Sequence, residues 1–217
     1  MVLGVYCAGG LGGCVIEMAK EINENQKRWD HIFFINDVEP AIDTDEVVMT
    51  FDDFYSSYPP DKAEIIIASG EPNGREKLYE KVKSFGYSLP NLIDPRTELK
   101  KIKVIGEGNI IEDHVHISPS NVTIGNNNVF MTFSCIAHDN VIGSHCVFAS
   151  YAASSGMTVV ENCCFVGTGA KLRDKIKIGK NSIIGMCAAV VKDVEESSVM
   201  VGVPAEEVRK NTTGKVF

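Results

Sequence analysis

The chain contains no uninterrupted run of eighteen apolar residues, which excludes a membrane-spanning helix and sets the expectation of no membrane insertion. Its first residues, MVLGVYCAGG, lack the basic stretch and the small-residue cleavage site of a secretory signal, so a cytoplasmic location is expected. None of the seven cysteines falls in C-x-x-C spacing, and an odd count without that spacing fits a reducing compartment better than a disulfide framework. Basic charge is also scarce. Twenty-one Lys and Arg against 29 Asp and Glu leave a net charge of -8, which argues against nucleic acid as a partner and requires any anionic ligand to meet a local basic patch. Against these absences stands an apolar content of 44%, enough for one or two domains with real cores.

The apolar residues are ordered. From Ile124 onward one returns every sixth place: Phe130, Ile136, Ile142, Phe148, then Val160, Val166, Leu172, Ile178, Ile184 and Val190, with Ser154 alone breaking the series. A period of six fits neither the 3.6 residues of a helix nor the two of a simple strand, and it predicts a parallel β-helix. Each hexad forms one short side of a triangular coil, three hexads make a coil of eighteen residues, and coils stack roughly 4.8 Å apart. The fifth place of the hexads holds Ser134, Cys146, Ala152, Thr158, Cys164, Ala170, Ser182 and Ala188, as a corner with little room requires. Gly125, Gly143, Gly167, Gly179 and Gly185 follow the apolar residue directly, which reads as a turn. The register continues backwards through Ile117, Ile111, Ile105, Leu99 and Ile93, with one extra residue between Ile117 and Ile124. About five to six coils are predicted.

Residues 1–90 lack this period and alternate strand and helix in a βαβ pattern, so a Rossmann-like α/β domain is expected there, followed by the β-helix over 91–217 with a join near Pro90 to Pro95. Val15, Met18, Ala19 and Ile22 mark one face of a first helix; Leu78, Val82 and Phe85 mark a later one that Gly86 stops. The acidic stretch from Pro40 to Asp61 reads as a surface excursion with a possible strand at Val47 to Thr50. Between the first strand and its helix lies AGGLGG at 8–13, where backbone N–H groups at a helix start can meet a phosphate, and Asp37 closes the second strand where a ribose hydroxyl would be held. A glycine turn that serves only helix and strand packing is the alternative.

Among five histidines, His138 takes the outward third place of its hexad and is followed by Asp139, a carboxylate that would orient the ring and leave the other nitrogen free as a general base. One coil further lies Gly156, whose bare N–H could steady an oxyanion in acyl transfer. An ordinary surface histidine is the alternative. Repeats of this kind have no cleft of their own, so a neighbouring subunit must wall the site and a homotrimer is expected. Lys171, Arg173, Lys175, Lys177 and Lys180 concentrate basic charge at outward places, either as a patch for the phosphates of coenzyme A or as a solvated face. No metal is expected: His114 and His116 sit more than a coil from His138, and His145 has no matching third ligand.

These features together resemble the hexapeptide-repeat sugar acetyltransferases of the sialic acid O-acetyltransferase and UDP-4-amino-sugar N-acetyltransferase family. The resemblance rests on AGGLGG at 8–13, NLIDP at 91–95, IAHDNVIG at 136–143, IKIGKNSIIG at 176–185, and VVKDV with VGVPA at 190–205. It implies a left-handed β-helix that binds acetyl-CoA between subunits of a homotrimer and an N-terminal domain that binds a nucleotide sugar of UDP or dTDP type. It further implies His138 as base with Asp139 orienting it, Gly156, Lys171, Arg173, Lys177 and Lys180 toward the coenzyme, and Gly9, Gly10, Gly12, Asn36 and Asp37 toward the nucleotide sugar. The expected activity is N-acetylation of a 4-amino sugar for surface polysaccharide biosynthesis. The alternatives are O-acetylation of a sialic-acid-type sugar and a non-catalytic, nucleotide-sensing trimeric scaffold. The chain departs from the family pattern at Leu11 and Asp94, where members carry histidine, at Val147 in place of a second histidine, and at Cys187 in place of a glycine.

Overall fold

The computed structural model describes residues 1–39, 43–99 and 102–216. The N-terminal part is a four-stranded parallel sheet of β1 (Val2–Tyr6), β2 (His31–Ile35), β3 (Val48–Met49) and β4 (Ala63–Ile67), in the order β3-β2-β1-β4. All five residues of β1 are buried because it lies between β2 and β4 with helices on its faces. Helix α1 (Gly10–Gln26) buries the predicted stripe of Val15, Met18, Ala19 and Ile22. Helix α3 (Pro72–Ser84) starts on a proline and gives way at Gly86, whose φ of +87° is the left-handed conformation a helix end favours.

The expected surface excursion needs correction. Its residues 40–42 lie outside the described ones, but the remainder contains β3 and a further helix, α2 (Phe51–Ser57), capped by the Thr50 hydroxyl, which accepts from the Asp53 N–H. Asp52 and Asp53 sit in its first turn, where the helix dipole favours them, so the acidic composition is that of a helix start. Phe51 and Phe54, three apart on one face, are fully buried.

From Leu92 onward the chain winds a triangular prism. One face stacks Leu92–Ile93, Ile110–Ile111, Val129–Phe130, Val147–Phe148, Phe165–Val166, Ile183–Ile184 and Ser198–Val201, and the antiparallel strand Glu206–Lys210 extends it. The second face carries His116–Ile117, Cys135–Ile136, Ala153–Ser154, Lys171–Leu172 and Ala189–Val190; the third carries Val104–Ile105, Thr123–Ile124, Val141–Ile142, Val159–Val160 and Lys177–Ile178. Parallel pairs such as Cys135↔Ala153 and Val141↔Val159 lie eighteen apart, while Val104↔Thr123, Ile110↔Val129 and His116↔Cys135 lie nineteen apart. The extra residue inferred between Ile117 and Ile124 accounts for the difference. The inward column from Ile124 to Val190 is buried throughout, Ser154 included.

The corners bend at the fourth place of the hexad, where Asn127, Phe133, Asp139, His145, Tyr151, Met157, Cys163, Lys175, Asn181 and Cys187 take φ between 54° and 63°. The five repeat glycines have no positive φ. A Cβ on Gly125 or Gly143 would come within 2.6 or 2.4 Å of the next coil, so these residues serve close coil-to-coil approach rather than the turn itself.

The α/β part docks on the first face. The outward residues Leu92, Ile110, Val129 and Val147 share one buried cluster with Val15, Met18, Ile22 and Phe34. Beside them Arg75 of α3, fully buried, donates to the carbonyls of Ile67 and Ser69 and to both the carbonyl and the side-chain oxygen of Asn127 in the prism.

Candidate active site

His138 stands at the corner between the second and third faces, its side chain about half exposed at 51%. Its Nδ1 is 2.7 Å from Asp139 Oδ2. Asp139 occupies the left-handed corner position, with φ of 58°, and this turns its carboxylate back toward the ring of the preceding residue. Asn121, one coil earlier, donates to the other carboxylate oxygen at 2.9 Å. The hydrogen bond from Asn121 and then that with His138 hold the Asp139 carboxyl below its ordinary range. An ionised Asp139 accepts from Nδ1–H and leaves Nε2 as the basic nitrogen.

Gly156 lies beneath the ring: a Cβ there would sit 2.6 Å from both Cε1 and Nε2 of His138. The glycine thus makes room for the imidazole, a requirement beyond the bare N–H expected from the sequence. Its carbonyl accepts from Lys175 N–H in the following coil, while its own N–H donates to no group among the described residues.

The five basic residues do not form one cluster. Arg173 and Lys175 continue the His138 corner two coils along, and Lys171 lies on the second face with Nζ on the Tyr151 carbonyl at 2.6 Å. Lys177 is on the third face, paired with Glu161, and Lys180 reaches Glu76 of α3 at 3.6 Å from the next corner. The two groups therefore face different sides of the prism.

In the α/β part the glycine turn divides by role. A Cβ on Gly12 would lie 2.1 Å from the Cys7 carbonyl oxygen, so Gly12 is fixed by helix and strand packing, whereas Gly9 and Gly10 have nothing within 4 Å at the start of α1. Asn36 accepts from Ala8 N–H and donates to the Val38 carbonyl, which ties the turn to the end of β2. Asp37 accepts from the Tyr6 hydroxyl, Lys81 Nζ at 2.9 Å and the Phe51 N–H at 2.8 Å. Burial works to raise its pKa, but those three donors hold it below the ordinary value.

Of the departures from the family pattern, Val147 is buried in the docking cluster and Asp94 is buried in a two-pronged pairing with Arg96, at 2.9 and 2.7 Å. Leu11 packs at the edge of the same cluster, and Cys187 is an exposed corner residue. A cavity of ≈ 490 Å³ opens between α1 and the prism, bordered by Cys14, Glu21, Asp94, Arg96, Asp113 and Thr132 among others. Sequence reasoning missed it because these residues are brought together only by docking. No group of three or more His, Cys, Asp or Glu among the described residues is placed to hold a metal ion, and no described helix is long and apolar enough to cross a membrane.

The PglD N-terminal domain family matches residues 3–82. PerB from Caulobacter crescentus, solved with CoA and GDP-perosamine, is similar over 96% of this chain and 98% of its own, with a TM-score of 0.85 and 25% identity. WeeI from Acinetobacter baumannii AYE is similar over 96% of this chain and all of its own, with a TM-score of 0.82 and 28% identity. Among curated proteins, an acyl-[acyl-carrier-protein]–UDP-N-acetylglucosamine O-acyltransferase of Pseudomonas aeruginosa (strain LESB58) is 33% identical over 117 residues, or 51% of this chain. The chain spans only 45% of that relative's length. The architecture is a Rossmann-like domain followed by a left-handed parallel β-helix.

Proposed function

We propose, because the chain belongs to the hexapeptide-repeat nucleotide-sugar acetyltransferase family, that it transfers an acetyl group from acetyl-CoA to the amine of a nucleotide-linked 4-amino sugar. The observation that carries this reading is the His138–Asp139 pair lying over Gly156 at an open corner of the prism. The amine nitrogen attacks the thioester carbonyl while His138 Nε2 takes its proton, and ionised Asp139 stabilises the imidazolium so formed. The Gly156 N–H donates to the developing oxyanion. As the carbon–sulfur bond breaks, the imidazolium returns the proton to the leaving thiolate, giving the amide and free coenzyme A.

Residues 91–217 hold the coenzyme in this reading and residues 1–90 the nucleotide sugar. Arg173 and Lys171, on the His138 side, are the basic groups best placed for the coenzyme phosphates; Lys177 and Lys180 are already paired with Glu161 and Glu76. Gly9 and Gly10, open at the N-terminus of α1, suit the diphosphate. Asn36 and Asp37 act indirectly, by fixing the turn and the start of α2. A second and third copy of the chain complete the site: the third face leaves Val104 and Val141 exposed at 51% and 45%, and among the described residues the His138 side chain stays half exposed. Acceptance of an amine rather than a hydroxyl draws support from PerB, which was solved with an amino-sugar nucleotide.

The test is release of coenzyme A thiol from acetyl-CoA with UDP-, dTDP- and GDP-linked 4-amino sugars, and with a CMP-linked hydroxyl acceptor, for the intact protein and His138→Ala. The variant should lose at least about a hundredfold in kcat, within the range for loss of a general base. Equal turnover by both proteins overturns the role of His138 as base, and turnover by neither overturns the reading and returns the chain to a scaffold. A preference for the hydroxyl acceptor would make it an O-acetyltransferase.

A further inference from the structure

We infer that the buried pair Asn140 and Ser154 is a positioning device for the His138–Gly156 site, an inference that rests on the reading just given. Ser154 alone breaks the apolar column, and it is 1% exposed between Ile136 and Leu172 of the adjoining coils. A hydroxyl there costs stability unless it is hydrogen-bonded. Its Oγ donates to Asn140 Oδ1 at 2.5 Å, and Asn140 is itself fully buried.

Asparagine also holds the fifth place at Asn109 and Asn128, but there Oδ1 accepts from the backbone N–H of Asn128 and Cys146 in the following coil, whereas Asn140 Oδ1 is met by a side chain of the column. At the fifth place of the hexad, Thr158 Oγ1 donates to the Ser155 and Arg173 carbonyls, and Cys146 and Cys164 thiols bond in the same way to a carbonyl of their own corner and one of the next coil. A hydroxyl or thiol therefore suffices to join two corners. Asn140 does the same work with an amide: Nδ2 donates to the Ala137 carbonyl at 3.0 Å, to that of His138 at 3.3 Å and to that of Ser155 at 2.8 Å. Those carbonyls belong to the backbone that carries the imidazole and to the residue preceding Gly156. The amide oxygen left over would point unpaired into the apolar column, and Ser154 satisfies it. The break in the repeat thus follows from the inward turn of this one fifth-place amide oxygen at the corner that bears the base, and the pair fixes the base against the glycine one coil away. Asn140 and Ser154 touch no substrate; they act through the backbone of their neighbours.

The test restores the ordinary repeat with Asn140→Thr combined with Ser154→Val, alongside Ser154→Thr, which keeps a hydroxyl, and His138→Ala as baseline. Two readouts are taken: kcat and KM for acetyl-CoA, and the ring-current displacement of the Gly156 amide signal in glycine-labelled protein. The double variant is expected to fold with an unfolding temperature equal to or above that of the parent. Its kcat should fall about tenfold or more with KM little changed, and its Gly156 signal should move toward that of His138→Ala. Ser154→Thr should stay within about twofold of the parent in kcat. A double variant with parental kcat and parental Gly156 signal overturns the inference. Displacement of the Gly156 signal in a protein that acetylates no acceptor would sustain the positioning role while refuting the proposed reaction, so the two failures are distinguishable.

Discussion

Two corners of the same prism carry a histidine seven residues apart, and they use it in opposite ways. At the first, His138 is half exposed, a carboxylate faces Nδ1, and Nε2 is open above Gly156. At the second, His145 is 7% exposed, its Nδ1 lies 3.0 Å from the Asn127 side-chain nitrogen, and the Tyr79 ring packs against it in a T-shaped contact. Their places in the hexad differ, since His138 precedes the left-handed corner residue Asp139, at φ of 58°, whereas His145 is itself the left-handed corner residue, at φ of 63°. The partner differs too. A carboxylate accepts from the ring and stabilises its charged form, whereas an amide donor requires a lone pair and so stabilises the neutral one. The first corner suits a proton acceptor and the second suits a joint between domains.

The joint can be broken at Arg75, with the largest effect expected here. Its guanidinium donates to four carbonyl-type oxygens, two of them on Asn127, and Asn127 in turn donates to the Arg75 carbonyl and faces His145. Arg75→Met keeps much of the volume but leaves those oxygens buried and unpaired. A loss of about 3–5 kcal/mol is expected in denaturant unfolding. A loss under about 1 kcal/mol would mean that water or relaxation satisfies the oxygens and that the joint lies elsewhere.

The open corner is probed by Gly156→Ala. Gly156 has no positive φ, so alanine fits the backbone, but its methyl group would displace the His138 ring from a distance of 2.6 Å. Acetyl transfer should fall about a hundredfold, equivalent to about 2.7 kcal/mol, with an unfolding temperature close to that of the parent. Full activity in the variant would show that the ring works from another rotamer.

Much of this contrast was legible in the sequence, and the exceptions have a common cause. A period of six sorts each residue to the inside, the outside or a corner, so the column, the inserted residue and the outward place of His138 beside Asp139 could be read directly. The same register cannot say what covers an outward position. Val129 and Val147 lie at outward places yet are buried, because α1 docks there; the once-per-coil recurrence of Ile110, Val129, Val147, Phe165 and Ile183 was the available signal. Asp37 illustrates a second limit. Its place after β2 suggested a ligand contact, but its donors come from Tyr6, Phe51 and Lys81, separated by up to 44 residues. Local spacing carries no record of such partners. The break at Ser154 was visible, but its reason depended on which way the Asn140 amide pointed.

The smallest effect, and the sharpest test of the contrast, is the pH dependence of the buried histidine. Burial drives the His145 pKa down to about 4; Glu76 opposes this, while Arg75 and Lys180 reinforce it. In the unfolded chain the same group titrates near about 6.5. The folded value is the lower one, so above about pH 6.5 the residue is neutral in both states and contributes no pH dependence. As pH falls below that value the unfolded chain takes up a proton that the folded chain refuses, and stability declines until about pH 4, where the folded imidazole is protonated as well. His145→Asn suits the left-handed corner, as Asn127 does one coil before and Asn181 two coils after, and its side-chain oxygen can accept from Asn127. The parent should lose on the order of 1 kcal/mol more than this variant between about pH 7 and pH 5, measured by denaturant unfolding at each pH. Parallel curves would mean that His145 titrates as an exposed histidine does, and the two corners would then differ in exposure to substrate but not in electrostatic design.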